Sequence, residues 1–199
     1  MVEPLVSESS PIEFFREQLE RAMEHQRIAT SAFTQYYLVN LLVAGVRGEP
    51  LLPREAGYDE TPLALMYVRA LQASRAERGR LWRALGDNAL FVAGFFSDSL
   101  AGKLVDFEYY RALGGRAYAQ LSREDSLARF GPEVFGELAE RFAQFADLLS
   151  EVSENTRLDG SNRSILDLYE RWQRTHSQRA ARLLAERGLA PLQGDGRLQ

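Results

Sequence analysis

GPEVFGELAERFAQFADLLSEV, residues 131–152, is the stretch that decides the fold class. Its large apolar residues fall at Phe135, Leu138, Phe142, Phe145, Leu149 and Val152, in alternating steps of three and four. An α-helix turns once in about 3.6 residues, so this spacing lines one face of a rod. A half-buried strand would need alternation at every second position instead. Gly131 and Pro132 open the segment, and proline fixes a backbone angle that suits a first helical turn.

The same period recurs on both sides. Ser10, Pro11 and Glu13 form a capping box with a first-turn proline, so two unpaired N–H groups at a helix start find side-chain acceptors. Ile12, Phe15, Leu19, Ala22 and Met23 make the stripe that follows. The pattern continues through Ala29, Phe33, Tyr36, Asn40 and Val43; one long rod, or two helices joined near 26–30, both satisfy it. From 36 to 46 nearly every residue is apolar, which predicts burial on all sides. Gly48, Pro50, Pro53 and Gly57 punctuate a loop. Thr61 and Pro62 then cap a helix whose Leu63, Met66, Tyr67, Ala70 and Leu71 face inward. Gly79 reads as a break before Leu81, Trp82, Leu85, Ala89, Val92 and Phe96. Residues 97–103 form a turn, and Asp106 reads as the N-cap of a helix with Phe107, Tyr110, Gly114, Ala117 and Leu121 inward. Asp159 and Gly160 mark a turn, and a last helix runs from about 162 to 187, closed by Gly188 with Pro191 beyond. No segment alternates as a strand does. The sequence therefore predicts an all-α chain, an antiparallel bundle of six or seven helices. Its organisation reads as one domain over 10–190, a flexible N-terminus over 1–9 and a mobile tail over 191–199.

Composition narrows the chemistry. The chain has 199 residues, 45% hydrophobic and 26% charged, with a net charge of −4. That is a globular profile, long enough to bury a core without disulfides or a structural metal. Cysteine is absent, which excludes disulfide frameworks, thiolate metal sites and cysteine nucleophiles, and suits a reducing compartment. The start lacks the basic and apolar regions of a secretory leader. The greasiest run, 33–46, is interrupted by Thr34, Gln35 and Asn40, whereas a bilayer span needs about 20 apolar residues. A cytoplasmic chain that meets no membrane is expected. The acidic total opposes nucleic acid as a partner. The arginines at 75, 78, 80 and 83, and those at 163, 171, 174, 179, 182 and 187, read as solvated faces.

Two histidines bound the metal chemistry. A ferritin-like dimetal site needs Glu-x-x-His on two helices, but Ala22 stands three before His25 and Gln173 three before His176. No metal site is expected, and no P-loop, Gly-x-Gly-x-x-Gly turn or nucleophile elbow occurs. His176 and Trp172 lie on the stripe of the last helix, between Tyr169 and Ala180. With Asn40, Asn88 and Tyr110 they make a candidate pocket. A core-edge histidine held by one hydrogen bond is the plainer role for His176, and register-fixing the plainer role for the two asparagines. Asp87 reads as a cap for a helix restarting at Asn88. Gly114 and Gly115 sit inside a helix, where each costs about 1 kcal/mol against alanine. They allow either a close helix crossing or the approach of a flat ligand. In kind and order, His25 with Gly114 and Gly115 resembles haem-oxygenase-like enzymes. That resemblance implies an iron-ligating histidine and a glycine-kinked helix over the opposite haem face.

LGDNALFVAGFF (85–96) and KLVDFEYYRALGGRAYAQL (103–121) resemble a recurrent block of bacterial all-helical proteins with no assigned activity. The resemblance implies a bacterial helical domain and carries over no catalytic residue. A binding or protein-interaction module without a cofactor is the expected function. It would pair with a protein partner or with itself, and the regular seam from Phe135 to Val152 could serve as a dimer contact. A helical enzyme or cofactor carrier with a haem-oxygenase-like pocket is the alternative.

Overall fold

The computed structural model describes residues 10–47, 63–97, 107–124 and 131–158. Within them lie seven helices and no strand: α1 (Pro11–Gln26), α2 (Ala32–Arg47), α3 (Leu63–Gln72), α4 (Arg75–Phe95), α5 (Phe107–Leu121), α6 (Gly131–Glu140) and α7 (Phe142–Leu158). The fold is all-α. Among the described residues no helix is long and apolar enough to cross a membrane. The predicted helix over 162–187, with Trp172 and His176, lies outside the described residues. So do the caps at Thr61 and Asp106, the proposed N-terminal segment and the tail.

The capping box at α1 forms as the sequence requires. The Glu13 N–H donates to Ser10 Oγ at 3.3 Å, and the Ser10 N–H donates to Glu13 Oε2 at 3.0 Å. The first two rods are separate helices. Arg27 ends α1 in the left-handed region, at φ 55°, and the Ile28 N–H returns to the Met23 carbonyl at 2.9 Å. The short link to α2 is tied to α6. Glu137 accepts the hydroxyls of Thr30 at 2.5 Å and Thr34 at 2.7 Å. Arg141 clamps the Ala29 carbonyl at 2.8 Å and Glu137 at 2.6 Å.

Two predicted boundaries move. α4 runs straight through Gly79; the break before it falls at Ala73 and Ser74. Its signal is Ser74-Arg75-Ala76-Glu77, the same spacing as Ser10 to Glu13. The Ser74 carbonyl accepts the N–H groups of Glu77 and Arg78, and its hydroxyl donates to Glu77. A buried helix interior tolerates the roughly 1 kcal/mol of a glycine because packing outweighs propensity. The rod over 131–152 divides at Arg141 into α6 and α7. Its hydrogen bonds keep their four-residue step there, from Arg141 to Glu137 and from Phe145 to Arg141. All six residues of its stripe are buried within the chain, so this seam is closed to a second copy.

The centre of the fold is α4, which packs against α2, α3, α5 and α7. Every residue from Ala84 to Phe96 is buried, Asp87 and Asn88 included. The sequence predicts such all-round burial for α2 instead. That helix leans on α1, α4 and α6 and keeps one open edge, where Phe33 is 70% and Tyr36 55% exposed.

Candidate functional site

The densest polar chemistry in the described residues lies inside, on α4. Asp87 occupies mid-helix, where a carboxylate needs partners from other elements. Tyr37 from α2 donates its hydroxyl to Asp87 Oδ1 at 2.5 Å, and Tyr118 from α5 donates to the same oxygen at 2.8 Å. Arg83 stands one turn earlier on α4. Its Nε lies 3.5 Å from Asp87 Oδ2 and donates to the Tyr37 hydroxyl at 3.2 Å. Its guanidinium carbon sits 5.2 Å from the centre of the Tyr37 ring, which adds a cation–π contact. Gly86 makes room for the third partner. A Cβ there would come within 2.7 Å of the Tyr118 ring, so only a bare backbone lets that ring lie against α4.

Burial raises the Asp87 carboxyl above its ordinary range, while Arg83 and the two hydroxyls pull it partly back. Burial, and then the charge of Asp87, push the Tyr37 and Tyr118 hydroxyls well up, so both keep their protons and act as donors. The arrangement binds three helices through one carboxyl group. As catalytic machinery it is closed: Asp87 is 9%, Tyr37 2% and Tyr118 0% exposed. Arg83, about 40% exposed along its side chain, is the outward edge of the cluster.

The residues singled out in the sequence scatter. Asn40 is half-buried and donates to the Tyr36 carbonyl of its own helix at 2.7 Å. Asn88 is completely buried, and among the described residues neither its amide nitrogen nor its oxygen has a hydrogen-bond partner. Tyr110 is buried against Tyr109, ring to edge, at 5.5 Å. Among the described residues no hydrogen bond joins these three. His25 is exposed, with Nδ1 3.1 Å from Glu151, an acceptor it shares with Gln26. Gly114 serves a close crossing: a Cβ would meet Phe142 at 2.5 Å and Ala89 at 2.8 Å. Gly115 faces the other way, onto an open groove of about 340 Å³ between α5 and the α6–α7 junction, with Arg111, Arg116 and Glu140 at its rim. His25 and Gly114 meet α7 at Glu151 and Phe142, nine residues and so about 13 Å apart along that helix. The groove beside Gly115 does not include His25. No cluster of three side chains able to hold a metal ion occurs among the described residues.

Two features escaped the sequence. Asp87 lies with Asn88 between the apolar residues Ala84–Leu85 and Ala89–Ala93, with Arg83 four residues before it, the mark of a paired interior carboxylate rather than a cap. LALMYVRALQ, the α3 sequence, is apolar nearly all round, so no choice of inward stripe can hide it whole. Leu63, Met66 and Ala70 are buried, but Leu71, predicted inward, is 54% exposed, with Leu65 at 53% and Val68 at 46%. The chain matches no family model, no curated protein and no solved structure.

Proposed function

We propose that this chain is a helical interaction module that works by presenting a surface, not by catalysis, in a bacterial cytoplasm. The observation that carries it is the outer face of α3. Helices that are apolar all round belong inside a protein, because burial removes apolar area from water at roughly 25 cal/mol per Å². α3 buries one side on α4 and α5 and leaves Leu65, Val68 and Leu71 about half exposed on the other. These three span about 120° of the helix surface, with Ala64 and Gln72 between them. Contiguous apolar surface of this kind marks contact sites. The partner it suits is another protein's uncharged apolar surface. The sealed Asp87 cluster supports the same function, since it stiffens the platform and offers no substrate a way in. A cysteine-free chain suits the reducing cytoplasm.

Photo-crosslinking in the cell tests this. Benzoylphenylalanine at position 71 should give a discrete adduct that disappears when Leu65→Glu is added to the same face. The same probe at Glu20, on the wet side of α1, should give none. No adduct at 71, or one indifferent to Leu65→Glu, would overturn the proposal.

A further inference from the structure

Independently of the α3 face, we infer that the groove between α5 and the α6–α7 junction binds a small zwitterion, a molecule with one ammonium and one carboxylate on an apolar body, such as a free α-amino acid. The residues on its two sides explain why the groove is there. Ala112 and Gly115 on α5, and Ala139 and Ala143 across from them, carry too little side chain to close it, and a space of about 340 Å³ is left. That volume suits a small molecule and not the broad surface of a protein partner. Phe142, whose ring packs on Gly114, adds apolar surface to the lining. The crossing explains Gly114 but not Gly115, where a Cβ would meet only the Ala139 carbonyl at an ordinary 3.6 Å. Glycine weakens a helix interior relative to alanine, so packing gives no reason for it there. A bare backbone at Gly115 keeps the groove open and lets a bound group lie close to the helix.

The rim selects the charge. Arg111 is already engaged, 2.6 Å from Glu108 one turn before it on α5. Arg116 on α5 and Glu140 at the end of α6 line the same groove, and neither has an ion pair or hydrogen bond among the described residues. A purely anionic ligand would meet Glu140, and a purely cationic one would meet the arginines. A zwitterion answers both. Arg116 donates to its carboxylate, Glu140 accepts from its ammonium, and its apolar part lies toward Gly115 and Phe142. Both rim residues are exposed, so each contact is weak and affinity in the millimolar range is expected.

NMR titration of the full, isotope-labelled chain tests this, with phenylalanine as the probe. The amide signals of Gly115 and Ala143 should move and saturate. Blocking one charge, in N-acetylphenylalanine or phenylalaninamide, should weaken binding about three- to fivefold. Arg116→Gln should weaken phenylalanine and N-acetylphenylalanine and leave phenylalaninamide unchanged. Glu140→Gln should weaken phenylalanine and phenylalaninamide and leave N-acetylphenylalanine unchanged. Gly115→Leu should fill the groove and abolish binding of all three, with circular dichroism unchanged, whereas Arg75→Gln, at an exposed arginine elsewhere, should alter nothing. No saturable shift with phenylalanine, a blocked probe that binds as well as phenylalanine, or binding that survives Gly115→Leu would overturn the assignment.

Discussion

The middle of α4 and the outer face of α3 invert the usual distribution of side chains in opposite senses. α4 takes a carboxylate and an amide into the core, while α3 leaves leucines and a valine in water. Each departure has a different meaning. A buried carboxylate survives only with partners, and Asp87 has three, drawn from α2, α4 and α5. An exposed apolar face needs no partner to fold, so it is open to selection for contact. The inversion in α4 ties three helices together, and the one in α3 leaves the apolar face on which the proposed interaction function rests.

The largest effect should come from Asp87→Ala. It strands two tyrosine hydroxyls in the interior and unpairs Arg83 at the cluster's outer edge, and breaking such a group from one side costs about 3–5 kcal/mol. Urea unfolding should show that loss, and a change below about 1 kcal/mol would mean the cluster is not a structural tie. Asp87→Asn should be milder, because its oxygen still accepts both hydroxyls. The pH dependence separates this carboxyl from Glu137. Burial raises Asp87 above its ordinary 3.8, so above that value the folded chain holds a proton that the unfolded chain has released. Its contribution is therefore whole below 3.8 and falls as pH rises through the folded value. For Glu137 burial acts upward too, but Thr30, Thr34 and Arg141 outweigh it and lower the carboxyl below its ordinary 4.5. That contribution is present above 4.5 and is lost as pH falls through the folded value. Asp87→Asn should flatten the first limb of a stability–pH curve and Glu137→Gln the second.

Next in size is Gly114→Leu, which must displace Phe142 and Ala89 and should lose at least about 1–3 kcal/mol. Its neighbour is the control. A Cβ at Gly115 would meet only the Ala139 carbonyl, at an ordinary 3.6 Å. Gly115→Ala should therefore gain up to about 1 kcal/mol from helix propensity. Equal effects at the two positions would show that α5 does not cross as tightly as the geometry has it.

Asn88 sharpens the contrast inside α4 itself. It follows Asp87 directly, is buried more completely, and among the described residues neither of its polar atoms has a hydrogen-bond partner. An apolar side chain of similar size relieves that burden, so Asn88→Leu should raise stability by about 1–2 kcal/mol. A loss instead would show that the amide is hydrogen-bonded in solution.

How much of this was legible follows from sequence distance. The helices, the α1 cap and the stripe over 135–152 depend on neighbours within four residues, and a single sequence displays those. The Asp87 cluster depends on Tyr37 and Tyr118, 50 and 31 positions away, and nothing local names them among eight tyrosines. His25 and Gly114 show the converse. Each has a suggestive local setting, and the fold puts them against separate points of α7. The α3 face was legible in principle, since eight of the ten residues in LALMYVRALQ are apolar. Which side would be left outside depended on where α4 and α5 lie.

The smallest effect on stability should come from Val68→Glu, and its smallness is the point. Val68 is 46% exposed, so a charge there remains hydrated and the folded chain should change by no more than about 0.5 kcal/mol. No core contact is lost, since Leu63, Met66 and Ala70 still face α4 and α5. The same change puts a carboxylate in the middle of the α3 face and should abolish the photo-adduct expected at position 71. Urea midpoints of the two proteins should therefore coincide. A Val68→Glu chain markedly less stable would place this residue in the chain's own core, erasing the distinction between the inward tie of α4 and the outward face of α3.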